Sequence, residues 1–88
     1  MTAVYQRAVD LLEADINDEL VALEPQAGTC FGFNSVAASV WRLLESPKSF
    51  AEIRDSLVLQ YEVAPDRCSD ELQDLLDSMT NEGLVRSA

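Results

Sequence analysis

The chain has 88 residues, 48% of them apolar, with 16 Asp and Glu against 6 Lys and Arg for a net charge of −10. That length makes one domain spanning residues 1–88, able to build a single core but with little room for a deep catalytic pocket. The acidic balance opposes phosphate backbones and anionic membranes and favours cationic partners, and the six cations are scattered rather than clustered.

The absence of histidine removes the commonest general base and the commonest metal ligand. Cys30 and Cys68 stand too far apart for a zinc or CxxC motif, so neither a metal nor a cofactor is expected. The chain shows neither a basic-then-apolar signal pattern nor an apolar run approaching a membrane span. The expectation is a cytoplasmic protein with reduced thiols.

In chain order, Arg7 to Ile16 (RAVDLLEADI) alternates imperfectly and admits a short helix. Asn17-Asp18 is a turn signal. Glu19 to Glu24 (ELVALE) alternates as a strand, with Leu20 and Ala22 on one face and Val21 and Leu23 on the other. Pro25-Gln26-Ala27-Gly28 reads as a hairpin turn. Thr29 to Phe33 (TCFGF) is a second clear strand, with Phe31 and Phe33 on one face and Cys30 and Gly32 on the other.

From Asn34 the period becomes helical. Asn34 or Ser35 caps a first helix with Val36, Val40, Trp41, Leu43 and Leu44 on its apolar stripe, ending at Ser46-Pro47. Ser49-Phe50-Ala51-Glu52 is a capping box opening a second helix, with Ile53, Leu57, Val58 and Tyr61 inward. Pro65 opens a third, whose inner stripe is Cys68, Leu72, Leu75, Leu76 and Met79 and whose stop is Gly83. Leu84 and Val85 then cover one end of the core. The fold class is α+β, a two- or three-stranded meander followed by three helices, with the content of a winged helix-turn-helix.

The strand Thr29 to Phe33 carries the most information about function. It has neither a charge nor a proline to blunt a free edge, and Gly32 permits another backbone to approach. Such an edge is either a liability that other parts of the chain cover or a docking site for an added strand, and it also permits self-pairing into a homodimer. On the third helix, Asp66, Asp70, Asp74 and Asp77 form an acidic stripe that is either an ordinary solvated face or a receiver for a basic peptide. Glu71 stands at the border between the acidic and apolar stripes, within reach of a ligand on the helix flank.

Other readings carry less. Paired carboxylates on an open helix lack the environment that acid–base catalysis needs. Cys68 lies near a helix N-terminus but has no histidine partner, so a thiol enzyme is disfavoured. A DNA-binding regulator needs a basic recognition helix, whereas the third helix has only Arg67.

Taken together, Glu19 to Glu24, Gly28, Phe31-Gly32-Phe33-Asn34, Val40-Trp41-Arg42-Leu43-Leu44, Ser49 to Ile53 and the closing pattern around Leu72, Leu75, Leu76, Met79, Gly83, Leu84 and Val85 resemble the PqqD-like family over residues 8–86. Members are recognition elements for ribosomally made, post-translationally modified peptides. The resemblance implies three strands followed by three helices, with the precursor's leader segment adding as a fourth strand in the cleft between the third strand and the third helix. Carried onto this sequence, the peptide-binding residues are Thr29, Cys30, Phe31, Gly32 and Phe33 on the strand. On the helix they are Cys68, Glu71, Leu72 and Leu75, with Asp70 and Asp74 as acidic neighbours.

The phrase Phe31 to Ala37 followed by Val40-Trp41 is most similar to free-standing members of lasso-peptide systems. Those members are non-catalytic and hand the leader to a cysteine leader peptidase and a macrolactam cyclase. The alternatives are a PqqD-type peptide chaperone for a radical enzyme and a winged-helix adaptor or transcription regulator. The founding member usually has a glycine after its first helix, where this chain has Ser46-Pro47-Lys48.

Overall fold

The computed structural model describes residues 4–16 and 19–87. The elements are β1 (Val4–Arg7), β2 (Leu12–Ile16), β3 (Glu19–Glu24), β4 (Thr29–Phe33), α1 (Ser35–Leu43), β5 (Lys48–Ser49), α2 (Phe50–Tyr61), α3 (Pro65–Asn81) and β6 (Val85–Ser87). They form an antiparallel meander ordered β2-β3-β4 and a smaller antiparallel sheet ordered β5-β1-β6, with the three helices between them in sequence.

The short helix that residues 7–16 admit is not formed. Arg7 closes β1 and residues 12–16 are β2, because each segment finds a ladder partner: β5 and β6, remote in the chain, for β1, and β3, next in the chain, for β2. The smaller sheet is absent from the sequence reading for a related reason. Its strands are two to four residues long, too short to show a period, and they pair across most of the chain. The Asn17-Asp18 turn signal lies outside the described residues.

The meander has an unusual polarity. Register places Glu13 and Asp15 on the face shared with Leu20, Ala22, Phe31 and Phe33, which packs on the helices. Leu12, Ala14 and Ile16 share the opposite face with Val21 and Leu23, and Leu12 and Ile16 are 62% and 52% exposed. Glu13 and Asp15 lie on the helix-side face, solvent-accessible, where α1 offers them partners. Trp41 Nε1 donates to Glu13 at 3.1 Å, and Arg42 pairs with Asp15 at 2.6 Å.

The turn and caps follow local chemistry. Gly28 has φ +70°, the left-handed region that glycine tolerates, and its N–H donates to Glu24 O at 2.8 Å. Asn34 Oδ1 accepts from Ala37 N–H at the start of α1, and both bonds of the Ser49–Glu52 capping box are made at α2. At the end of α3, Gly83 (φ +77°) donates to Thr80 O and Leu84 to Met79 O, a Schellman closure with both apolar ends buried.

The core centres on Trp41, which is fully buried. Its ring stacks on Phe33 with centroids 5.7 Å apart, and the Arg7 guanidinium lies 4.3 Å over the ring. Arg7 Nη2 and Nε also donate to the Trp41 carbonyl, at 2.6 and 3.1 Å. Around this cluster pack Leu20, Val40, Leu44, Ile53, Leu76, Leu84 and Val85. Among the described residues every buried polar side-chain atom has a partner.

Two predictions follow from this packing. Trp41→Ala removes the ring with its stacking on Phe33, its contact with the Arg7 guanidinium and its bond to Glu13, while the backbone carbonyl that Arg7 holds remains. A loss of about 3–5 kcal/mol is expected. That is a large share of a small domain's about 5–15 kcal/mol, and urea unfolding followed by circular dichroism will measure it. The second concerns Glu52, whose carboxyl is held below its ordinary value of 4.5 mainly by the Ser49 backbone N–H, then by the Ser49 hydroxyl. A depressed carboxyl contributes stability that is complete above the ordinary value and is lost as pH falls through the depressed one. Melting temperatures from neutral pH to about pH 3 should therefore fall more steeply for the parent than for Glu52→Gln, which accepts the same bond without titrating.

Candidate peptide-binding groove

β4 pairs with β3 on one side only, so among the described residues its other edge is unpartnered. That edge opens on a trench of about 350 Å3 whose far wall is α3. The strand side is Cys30, Phe31, Gly32 and Phe33, continued by Asn34 and Ala37 at the start of α1. The helix side is Leu75, Ser78, Met79 and Glu82, successive positions at helical spacing along one flank. Nothing lies within 4 Å of where a Gly32 Cβ would sit, so internal packing does not require the glycine and the space beside it is open.

Adjoining the trench is a drier cup of about 140 Å3. Val36 of α1, Leu57 and Tyr61 of α2, and Val63 beyond it form one side. Cys68, Glu71, Leu72 and Leu75 of α3 form the other, and Leu75 is a wall of both cavities. The Tyr61 ring is held by its hydroxyl, which donates to Ser35 O at 3.0 Å and lies 2.8 Å from the Ser39 hydroxyl. Glu71 is the one carboxylate in the cup wall, and Arg67, one turn earlier, pairs with it at 3.2 Å. Both partners are largely exposed, so the pair holds Glu71 only weakly.

The structure brings most of the sequence candidates together. Cys30, Phe31, Gly32 and Phe33 meet Leu75 in the trench, and Cys68, Glu71, Leu72 and Leu75 meet in the cup. Thr29, Asp70 and Asp74 line neither cavity. Thr29 is the exposed first residue of β4. At about 100° per residue, Asp74 and Asp70 lie about 100° and about 140° around α3 from Leu75, on the solvent side.

Sequence reasoning missed Ser78, Met79 and Glu82 as groove residues, although stepping three and four positions on from Leu75 reaches all of them. It also missed Val36, Tyr61 and Val63, for which no local signal exists, since the end of α2 reaches the cup only through tertiary packing. Among the described residues no group of histidine, cysteine, aspartate and glutamate is placed to hold a metal ion, and no helix is long and apolar enough to cross a membrane.

A family model described as "Coenzyme PQQ synthesis protein D (PqqD)" matches residues 19–85, from β3 into β6. The chain belongs to the PqqD family. A solved structure described as "TbiB1 in Complex with the TbiA(beta) Leader Peptide" superposes with a TM-score of 0.79 at 33% identity, covering 92% of this chain and 94% of that one. No curated protein matches. The stretch shared with the PqqD family contains both walls of the groove, β4 and α3.

The two thiols of this PqqD-family chain differ sharply in setting. Cys30 is exposed on β4, whereas Cys68 is buried and burial pushes its thiol pKa up, with Glu71 adding to the rise and Arg54 opposing it. Iodoacetamide followed by peptide mass mapping is expected to label Cys30 in the folded protein and Cys68 only after unfolding. Equal labelling of the two would contradict the packing at the head of α3.

Proposed function

We propose that this chain is a non-catalytic recognition domain that binds the leader segment of a ribosomally made precursor peptide as a strand added to β4. It acts in the cytoplasm and delivers the leader to a cysteine leader peptidase and a macrolactam cyclase of a lasso-peptide system. The observation that carries the reading is the β4 edge, unpartnered among the described residues and free of charge and proline, facing α3 across an open trench. The likeness to TbiB1, a protein solved with a leader peptide, supports it. The similarity of Phe31 to Trp41 to lasso-system members supports the choice of pathway.

In this reading each part of the groove has a task. Backbone pairing along β4 sets the leader's direction and register while remaining indifferent to its side chains. Selectivity comes from the cup, where full burial of one large apolar side chain contributes about 1.5–3 kcal/mol. Glu71 at the cup wall favours a basic neighbour and speeds encounter, as does the net charge of −10. Pairing of two copies through the same edge competes with the leader, and repulsion between two acidic copies opposes it.

The test is fluorescence anisotropy of a labelled leader, taken from a short precursor encoded beside this gene, titrated with the protein. Saturable binding that a scrambled leader lacks is expected. Cys30→Pro, which disrupts the strand's backbone pairing, should weaken binding by roughly tenfold in protein shown to be folded, and Glu71→Lys by a few-fold. Unchanged affinity in both folded variants, or no binding up to high micromolar protein, would sink the reading.

A further inference from the structure

Glu82 is a poor choice for the fold and a pointed one for the groove. It caps the C-terminal end of α3, where the aligned peptide dipoles already give the helix a partial negative charge. A residue chosen for stability at that end is Lys or Arg, yet the last turn of α3 has no basic residue. Nor do the described residues neutralise the charge with an ion pair. The ion pairs among the described residues are Arg7–Glu13, Arg42–Asp15, Arg54–Asp55 and Arg67–Glu71, and Glu82 is in none of them. Its side chain lines the trench, on the same flank as Leu75 and Ser78.

Glu71 and Glu82 are thus the two carboxylates of the groove wall, three helical turns apart. Glu71 already has Arg67, whereas Glu82 awaits a cation.

We infer that Glu82 is a specificity-determining residue that reads a Lys or Arg side chain of the bound leader. The inference rests on the leader-binding reading and adds to it the position of the cation. The α3 residues of the cup run from Cys68 to Leu75, so Glu82 lies about 15 Å along the helix axis from the cup's centre at about 1.5 Å per residue. A strand laid along the helix covers that distance in four to five residues at about 3.3 Å each. Strand alternation brings only even separations to the same face, which selects four. The recognised leader therefore carries a large apolar residue for the cup and, four positions away, a cation for Glu82.

The leader from the neighbouring precursor serves as the probe, with each Lys and Arg replaced in turn by norleucine. One replacement, four residues from an aromatic or large aliphatic residue, should weaken binding by about three- to fivefold, as expected of a part-exposed pair. Against Glu82→Gln that replacement should cost nothing further, while Glu82→Lys should prefer a leader with Glu at that position. Thermal melts supply a readout that a merely structural role would not produce. Glu82→Gln should raise the melting temperature while lowering affinity, because it relieves the charge at the helix end. A leader that binds tightly but shows no coupling between Glu82 and any cation overturns the inference and leaves leader recognition standing. A leader that does not bind at all removes both.

Discussion

The side chain of Trp41 is where the separate parts of this small molecule are tied together. Its ring meets β4 through Phe33 and β1 through Arg7, its indole N–H meets β2 through Glu13, and its own carbonyl is held by Arg7. Four elements distant in sequence therefore share one buried residue. A domain of this size has few alternative ways to connect two sheets and three helices, because its surface is large relative to its interior. The polar ties matter as much as the burial, since they let a charged guanidinium and a carboxylate approach the core with their bonds satisfied.

Fixing β4 through Phe33 also fixes the groove. β4 alternates between a side chain locked beneath the sheet and a neighbour, Gly32, with open space around it. The strand is held by its inner face and by β3, while among the described residues its outer edge has no partner. Such preorganisation lowers the entropy lost when a flexible segment pairs with it. An open edge brings a hazard of self-association, and the net charge of −10 offsets it without blocking the edge itself.

The parts legible in the sequence were those with a local signature. β3 and β4 showed their alternation, the Ser49–Glu52 box and Pro65 marked helix starts, and Gly83 marked the Schellman stop. β1, β5 and β6 left no such mark, because two to four residues are too few for a period and their partners are remote. The groove was legible in its strand wall and in the first half of its helix wall. Asp70 and Asp74 stand out in the sequence by their charge, while their azimuth on α3 places them outside both cavities. Tyr61 and Val63 belong to the cup only because α2 packs on α3, and that no window of sequence can show.

The acids on the helix-side face of β2 bear on how the meander finds its alignment. In most sheets hydrophobic burial chooses the register, because a slip of one residue exposes what should be covered. Here all five β2 residues are exposed on both faces, so burial distinguishes weakly between the native alignment and one shifted by a residue. The native alignment is selected instead by Trp41 Nε1, Arg7 and Arg42, which need carboxylates opposite them. Side-chain bonds from α1 and β1 to two acids, rather than a buried stripe, thus mark the native register of β2.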